Sequence, residues 1–172
     1  MAQLIVTAIG KDRPGLVGEL TGYLHGAGAN ILDSRMVNLR GQFAVIILLE
    51  AANTGELKNA LPNAANKMGL SLTIAPEPAA PAATTTGMAY KLKTYSLDQP
   101  GLVHKISEVL RSHGVNIEDL SARQESAAFA GDPIFIMEAR LTVPPTVQVK
   151  KLRTDLDAVC EKLNADLDLE PA

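Results

Sequence analysis

The hydrophobic and polar positions of the chain predict a series of six elements that occurs twice. An apolar run of β-prone residues predicts a strand, and apolar residues recurring every three or four positions predict a helix. The first half contains, in order, a strand at 3–9, a helix through Leu16, Val17, Leu20, Leu24 and Ala27, strands at 30–39 and 43–51, a helix through Leu57, Leu61, Ala64 and Met68, and a strand at 70–75.

The second half has the same order of elements. It contains a strand at 90–95, a helix through Leu102, Val103, Ile106, Val109 and Leu110, strands at 115–124 and 134–143, a helix through Val149, Leu152, Leu156, Val159 and Leu163, and a short strand at 165–169. The connection around 125–133 is longer than its counterpart, where Arg40-Gly41-Gln42 predicts a tight hairpin.

Direct comparison of the two halves confirms an internal repeat. Residues 11–33 read KDRPGLVGELTGYLHGAGANILD, and residues 97–119 read LDQPGLVHKISEVLRSHGVNIED, with ten identities at a constant shift of 86. Between the halves, residues 75–87 read APEPAAPAATTTG, which contains no large apolar side chain and is typical of a linker. We therefore predict one domain at 1–77, a linker at 78–87 and a second domain at 88–172.

The order strand–helix–strand–strand–helix–strand predicts an α+β chain of two ferredoxin-like domains, each an antiparallel sheet with two helices on one face. Pro14 suits the first helical turn, where its missing N–H is not needed. Gly26 and Gly28 are expected to end that helix. Pro62 lies inside the second helical pattern and predicts a kink or a late start there.

Composition and charge narrow the classes of function. The net charge of -3 and the pI of about 5.6 argue against a general electrostatic grip on nucleic acid. Aromatic residues make up 3% of the chain, too few for the base stacking of RNA-recognition domains with this element order. The single cysteine, Cys160, allows no internal disulfide, and the N-terminal apolar run is too short for a signal peptide or a membrane span. We expect a cytoplasmic protein without direct nucleic-acid or membrane binding.

The sequence Asp-x-Pro-Gly-Leu-Val occurs after the first strand of each half, at Asp12–Val17 and at Asp98–Val103. The glycine allows a ligand to approach the backbone closely, and the unpaired N–H groups of a helix start favour a carboxylate. The aspartate could then bind the ammonium group of the same ligand. In the simpler interpretation Pro-Gly makes the turn and the aspartate caps the helix, and the residue types leave both interpretations open.

A second repeated sequence lies where the next strand begins, as Asn30-Ile31 with Asp33 and as Asn116-Ile117 with Asp119. An asparagine offers a donor and an acceptor to a bound amino acid. The alternative is local chemistry at the helix exit, in which the asparagine bonds its own backbone.

Other candidate groups do not indicate chemistry. His25, His104 and His113 have no partner at metal-ligand spacing, and Cys160 lies between apolar positions of a helix, so we expect no metal site and a packing role for the thiol. The glycines from Gly22 to Gly28 lie within and after a helix, which excludes a dinucleotide-binding loop. With no activated nucleophile or paired carboxylates in view, we expect neither an enzyme nor a cofactor.

The residues described above resemble the ACT domain family, through Asp-Arg-Pro-Gly-Leu-Val after strand one and Gly-Ala-Asn-Ile-Leu-Asp after helix one. A free-standing pair of such domains is similar to the glycine cleavage system transcriptional repressor family, and the run from Asn30 to Met36 followed by Gly41-Gln42-Phe43 fits that subgroup. The resemblance covers nearly the whole chain. It implies a sensor of small molecules, often amino acids, whose domains pair side by side with one sheet continuing into the next.

The resemblance also implies where a ligand binds: between the loop after strand one of one domain and strand two of a neighbouring domain. The loop residues are Asp12, Arg13, Pro14, Gly15 and Leu16 in the first domain and Asp98, Gln99, Pro100, Gly101 and Leu102 in the second. The strand-two residues are Asn30, Ile31, Asn116 and Ile117. Because Arg13 becomes Gln99 in the repeat, the two sites are expected to differ.

Two hypotheses follow for the function. In the first, the chain is an amino-acid-responsive regulator, related to control of glycine cleavage, that acts through an unidentified protein partner and forms a homodimer by side-by-side pairing. No segment resembles a helix-turn-helix, so direct DNA contact is not expected. In the second, the chain is a scaffold whose sites bind no ligand.

Overall fold

The computed structural model describes residues 2–75, 86–97, 99–126 and 133–172. The chain divides into two compact units, Met1–Ala82 and Ala83–Ala172, which we call the first and second units. The predicted linker at 78–87 and the long connection at 125–133 fall largely outside the described residues. Their bounds therefore stay predictions.

Each unit contains four strands and two helices in the predicted order. The first unit consists of β1 (Ala2–Lys11), α1 (Leu16–Gly26), β2 (Ala29–Leu39), β3 (Gln42–Ala51), α2 (Thr54–Lys67) and β4 (Leu70–Ala75). The second consists of β5 (Met88–Leu97), α3 (Leu102–Ser112), β6 (Asn116–Ser126), β7 (Pro133–Val143), α4 (Val149–Lys162) and β8 (Ala165–Pro171).

The strands of each unit form one antiparallel sheet. The order is β2-β3-β1-β4 in the first unit and β6-β7-β5-β8 in the second, so corresponding strands occupy corresponding positions. The two-residue turn between β2 and β3 has Arg40 at φ 50° and Gly41 at φ 82°, the pair of positive φ angles of a turn that matches strand twist. This agrees with the hairpin that the sequence predicts.

The helices of each unit bury one narrow stripe of side chains. In every helix the buried positions are four residues apart: Leu16, Leu20 and Leu24; Leu57, Leu61 and Ala65; Leu102, Ile106 and Leu110; Leu152, Leu156 and Cys160. They pack on one face of the sheet, against alternate residues such as Leu4, Val6 and Ala8 of β1. Each unit therefore has its own core, between its helices and one face of its sheet.

The first helix contains Leu16, Val17, Leu20 and Leu24 as predicted and ends at Gly26, one residue before Ala27. Val17 is 47% exposed, because it is turned about 100° away from the Leu16 stripe. Pro14 lies before α1 rather than in its first turn, since Gly15 is the residue at the N-cap. The same holds for Pro100, which precedes the cap residue Gly101.

The sequence predicts a kink or a late start of the second helix at Pro62, and the late start is wrong. α2 begins at Thr54, where Asn53 caps it by accepting a hydrogen bond from the Glu56 N–H at 3.2 Å. The Asn53 side chain in turn donates to Glu56 Oε2 at 3.0 Å, which holds the helix start from both sides. Across the described segments, no helix has the length and apolar composition needed to cross a membrane.

Candidate functional site

The loop between β1 and α1 exposes backbone N–H groups. Gly15 has φ 86°, and a side chain built on it would meet no atom within 4 Å. The Leu16 N–H donates to the Arg13 carbonyl at 3.3 Å, and the Gly15 carbonyl accepts from the Glu19 N–H at 2.9 Å. Over the described residues no acceptor is recorded for the N–H groups of Gly15, Val17 and Gly18. The helix start therefore has the free donors and the partial positive charge that an anionic group requires.

The Asp12 side chain holds this loop against the β2–β3 hairpin. Asn38 Nδ2 donates to Asp12 Oδ2, and the Asp12 N–H donates to the Gly41 carbonyl at 2.8 Å. The side-chain oxygen of Asn38, Oδ1, accepts from the Gly41 N–H at 3.2 Å. Asp12 is thus not a helix cap, since no side-chain cap is present on α1. The sequence did not identify Asn38 as a partner of the loop.

Arg13 is occupied by an ion pair. Its guanidinium donates two hydrogen bonds of 2.6 Å to the carboxylate of Glu19, on the first turn of α1. These bonds lower the pKa of Glu19 and raise the pKa of Arg13. Both side chains are exposed, so the pair contributes little to stability. It does place the guanidinium beside the helix start, where it can turn toward a ligand carboxylate.

Leucine and proline of the loop have different roles. Leu16 is 1% exposed and Leu102 is 2% exposed, so their side chains belong to the cores, and only their backbone atoms can face a ligand. Pro14 and Pro100 are exposed beside the glycines. The loops therefore offer a ligand mainly backbone groups.

The second loop repeats the backbone geometry with different side-chain contacts. Gly101 also has φ 86°, and its carbonyl accepts from the Lys105 N–H at 2.9 Å. Gln99 donates through Nε2 to the carbonyl of Leu163, just after α4. Asp98 is outside the described residues, so the role expected for it stays a prediction. The two loops therefore differ in their side chains, because Gln99 and Lys105 stand where the first loop has the Arg13–Glu19 ion pair.

The strand-two asparagines bind neighbouring carboxylates. Asn30 Nδ2 donates to Glu50 Oε1 at 3.2 Å, and Asn116 Nδ2 donates to Glu118 Oε1 at 2.6 Å. Thr142 Oγ1 also donates to Glu118, and these bonds, the one from Asn116 first, lower the pKa of Glu118. These contacts replace the local backbone bond that the alternative interpretation expected.

Ile31 and Ile117 are half-buried and pack against the cores of their units. Directly after each of them the edge strand contains a β-bulge, between Ile31 and Asp33 in β2 and between Ile117 and Asp119 in β6. Asp33 accepts from its neighbours, the Ser34 N–H at 2.8 Å and Arg35 Nη1 at 2.5 Å. The sequence did not predict either bulge.

Within one unit the loop and the strand-two residues lie at opposite ends of the sheet. Asn30 is paired with Glu50, and Glu50 with Gln3 near the start of β1, whereas Asp12 follows the far end of that strand. At about 3.3 Å per residue this separation is roughly 25–30 Å. Asn30 and Ile31 line an open groove of about 460 Å³ with Gly18, Gly22 and His25 of α1, and the loop residues are not part of it. The two sets of residues therefore do not form one site within a single unit.

The histidines and the cysteine form no cluster with the described acidic residues that would suit a metal ion. His25 and His104 are exposed. His113 is half-buried at the end of α3, with Nε2 2.8 Å from Asp155 Oδ2 on α4. Cys160 is 2% exposed in the second core, and burial raises its pKa to about 11, consistent with a packing residue.

Comparisons with known proteins agree with this geometry. An ACT domain family model matches residues 2–75. The chain is 26% identical over 169 residues to the glycine cleavage system transcriptional repressor of Escherichia coli (strain K12), covering 94% of this chain and 86% of the repressor. It is 32% identical over 78 residues to a UPF0237 protein of Methanopyrus kandleri, covering 43% of this chain and 87% of that protein.

Among solved structures, a crystal structure of an unknown protein from Galdieria sulphuraria superposes with a TM-score of 0.85 and 29% identity, covering 99% of this chain and 98% of that chain. The match extends over both units, including the second, which repeats the topology of the first. Residues 2–75 therefore belong to the ACT domain family, the second unit repeats their topology, and the whole chain resembles the glycine cleavage system transcriptional repressors.

Proposed function

We propose that this chain is a non-catalytic regulatory protein that binds a small amino acid at the glycine loops before α1 and α3. The observation that carries the proposal is the repeated left-handed glycine, Gly15 and Gly101, each at the start of a helix. In the first loop this geometry leaves three N–H groups without acceptors over the described residues. A glycine there has no side chain to keep a ligand away from those groups.

The ligand chemistry follows from the charges around the first loop. A carboxylate fits the N–H groups of Gly15, Val17 and Gly18, because the helix start carries a partial positive charge. The ammonium group of the same ligand fits Asp12, whose Oδ2 is held by Asn38 and whose Oδ1 has no donor among the described residues. A small zwitterion satisfies both requirements, and a monoanion satisfies only the first.

The strand-two residues would complete the site through pairing of two edge strands. β2 has one neighbour in its sheet, and it exposes Met36, Val37 and Leu39 at 52%, 54% and 70%. If two chains pair these edges antiparallel, the start of one strand lies beside the end of the other. Asn30 and Ile31 of one chain would then lie close to the Asp12–Leu16 loop of the other. This arrangement is a homodimer formed side by side.

The output of the protein is proposed to be a contact with an unidentified protein partner. Support comes from the repressor of Escherichia coli, whose similarity extends over 94% of this chain. By that similarity the regulated process is glycine cleavage. Deleting the gene for this chain should then raise the transcript level of the glycine cleavage enzymes, and unchanged transcripts with and without glycine would contradict this part of the proposal.

Isothermal titration with glycine, L-serine and L-alanine tests ligand binding. Glycinamide lacks the carboxylate and N-acetylglycine lacks the ammonium group, so neither should bind where the parent amino acid does. Equal heats for glycine and glycinamide would contradict the role of the helix start. No heat and no thermal shift for any of these amino acids would contradict the sensor.

A matched pair of variants assigns the ammonium contact. Asp12→Asn keeps an acceptor for Asn38 and removes the charge, so we expect at least a 10-fold weaker affinity, about 1.4 kcal/mol, with unchanged folding. Asp157→Asn makes the same change of net charge on α4, outside both loops and both second strands, and should leave the affinity unchanged. Equal effects of the two substitutions would indicate a general charge effect instead of a site.

A scaffold without ligand is the second candidate. It is favoured by the contacts that already occupy Asp12, Arg13 and Asn30, which are bound to Asn38, Glu19 and Glu50. In a scaffold these bonds serve the fold alone. Asp12→Ala would then lower stability and change no ligand response, whereas in a sensor it abolishes the response of a protein that remains folded.

A further inference from the structure

The sheet faces that lie away from the helices differ between the two units. We call them the open faces. Cross-strand register assigns to the first open face the rows Ala75–Ile5–Leu48–Asp33, Thr73–Thr7–Ile46–Arg35 and Ser71–Ile9–Ala44–Val37. The equivalent rows of the second are Glu170–Lys91–Arg140–Asp119, Asp168–Lys93–Glu138–Ser121 and Asp166–Tyr95–Ile136–Arg123.

The first open face is apolar at its centre. Ile9, Ile46 and Val37 are 50%, 46% and 54% exposed, and Ile5 and Leu48 beside them are half-buried. The charged groups, Asp33 and Arg35, lie on the edge strand and bind each other at 2.5 Å. An apolar centre with a polar rim is the usual composition of a protein interface.

The second open face is adapted to water. Glu138 binds Lys93 at 2.8 Å and Arg123 at 2.9 Å, and Arg123 also binds Glu125 at 2.7 Å. Covering this face would remove a network of charges from water at considerable cost. It is therefore a poor counterpart for the apolar face. Among the described residues, a surface that matches the first open face in extent and apolar character is the same face of another copy.

The size of the first open face is that of a protein contact rather than a ligand site. The depression between Ile5, Ile46, Leu48 and Arg35 has a volume of about 150 Å³, whereas small-molecule pockets are typically about 300–1,000 Å³. Four strands at about 4.8 Å spacing and a central strand about 33 Å long give a projected area of about 600 Å². The accessible area of such a corrugated face exceeds its projection and approaches the roughly 800 Å² per partner of a stable interface.

We propose that the open face of the first sheet is an interface between two copies of this chain, packed face to face about a twofold axis. Two such faces stack at about 10 Å, as the two sheets of a β-sandwich do. The same residues then meet from both sides, which satisfies the self-complementarity of a twofold contact. This contact is separate from the edge pairing of the proposed function, and the two together would make a tetramer.

The test moves one ion pair of the second sheet onto the first. Thr7 is paired with Ile46 as Lys93 is paired with Glu138, so Thr7→Lys with Ile46→Glu copies a pair that the same sheet position already accepts. The carboxylate introduced at position 46 would also lie opposite Arg35 of the edge strand. The net charge is unchanged. A control places the same two charges on exposed positions of α2, as Asn59→Glu with Asn63→Arg.

Sedimentation equilibrium and light scattering of the full chain, over a range of concentrations, give the result. We expect the double variant on the sheet to halve the mass and to raise the dissociation constant at least about 100-fold, with the control unchanged. A monomeric wild-type protein, or an unchanged mass of the sheet variant, would overturn the interface. Circular dichroism verifies folding, and Ile46→Ser, with the same expected direction, serves if the double variant does not fold.

Edge variants separate this inference from the pairing in the proposed function. Val37 and Leu39 lie on the open-face side of β2, whereas Met36 lies on the helix side of the same strand. The substitution Met36→Lys therefore affects the pairing of β2 edges and leaves the open face unchanged. Loss of mass from Thr7→Lys with Ile46→Glu supports the face-to-face contact whatever Met36→Lys does. If only Met36→Lys lowers the mass, the face-to-face contact is contradicted and the side-by-side dimer of the proposed function is supported.

Discussion

Replacing Gly15 tests whether its backbone conformation, rather than the space around it, determines the stability of the first unit. Gly15 has φ 86°, and a Cβ there would meet nothing within 4 Å. For an L-residue the left-handed conformation costs about 1–2 kcal/mol. Alanine also restricts the unfolded chain, which offsets about 0.4–1 kcal/mol. Gly15→Ala should therefore lower the free energy of unfolding of the first unit by about 1 kcal/mol.

Asparagine gives the decisive comparison. It is larger than alanine but tolerates the left-handed conformation better, so Gly15→Asn should cost less than Gly15→Ala. At Gly10 the order should be reversed, because a Cβ there would lie 2.4 Å from the Gly69 carbonyl oxygen and a larger side chain adds to the clash. Gly101→Ala should reproduce the Gly15 result in the second unit, since its φ is the same.

The measurement is urea denaturation followed by pulsed hydrogen exchange and mass spectrometry, because peptides of each unit report its unfolding separately. With an m-value of about 1 kcal/mol/M for a domain of this size, Gly15→Ala should lower the midpoint of the first unit by about 1 M. A first unit as stable with alanine as with glycine, or less stable with asparagine than with alanine, would refute the conformational argument.

Three further predictions concern the second unit. The buried hydroxyl of Thr94 has no partner among the described residues, so Thr94→Val should raise the thermal midpoint, by up to about 1 kcal/mol of stability, and a lower midpoint in calorimetry would contradict this. Hydrogen bonds from Arg123 and then Lys93 lower the pKa of Glu138 from 4.5 to about 2, so its contribution is present above pH 4.5 and lost as the pH falls toward 2. The difference in thermal midpoint between wild type and Glu138→Gln should shrink over that range, and a difference independent of pH would show that the ion pairs do not stabilise the fold. Burial raises the pKa of Cys160 to about 11, so a thiol reagent at pH 8 should react roughly 100-fold more slowly with the native protein than in urea, and equal rates would show that the helix does not protect the thiol.

The repeated fold could be predicted because its signals are local. Each strand and helix has its own hydrophobic period, and the turn at Arg40-Gly41 has the residue type that a positive φ requires. The helical period does not show how wide the buried stripe is: a helix that rests on a sheet buries a narrow one, so Val17 lies in the predicted helix and is exposed. The Asn53 cap was missed, although an asparagine three residues before Glu56 is a recognisable signal.

The candidate site was harder to predict, because its contacts join residues that are distant in the sequence. The glycine turns follow from Pro-Gly, but the bonds from Asn38 to Asp12 and from Asn30 to Glu50 depend on cross-strand register. The sequence already contains the difference between the two open faces. Ile46 and Leu48 of the first unit occupy the positions that Glu138 and Arg140 occupy in the second. The difference becomes apparent only when the register shows which side chains share a face.

The β-bulge at Ile31 and Asp33 has a consequence for the distant loop. One extra residue reverses the alternation of all that follows in β2, so that Ser34, Met36 and Asn38 point to the side of the helices and Arg35 and Val37 to the other. Deleting Leu32 would remove the bulge and keep this sidedness, whereas regular pairing of a β2 that retains Leu32 would turn Asn38 away from Asp12. The contact that holds the glycine turn therefore depends on an irregularity at the opposite end of the edge strand.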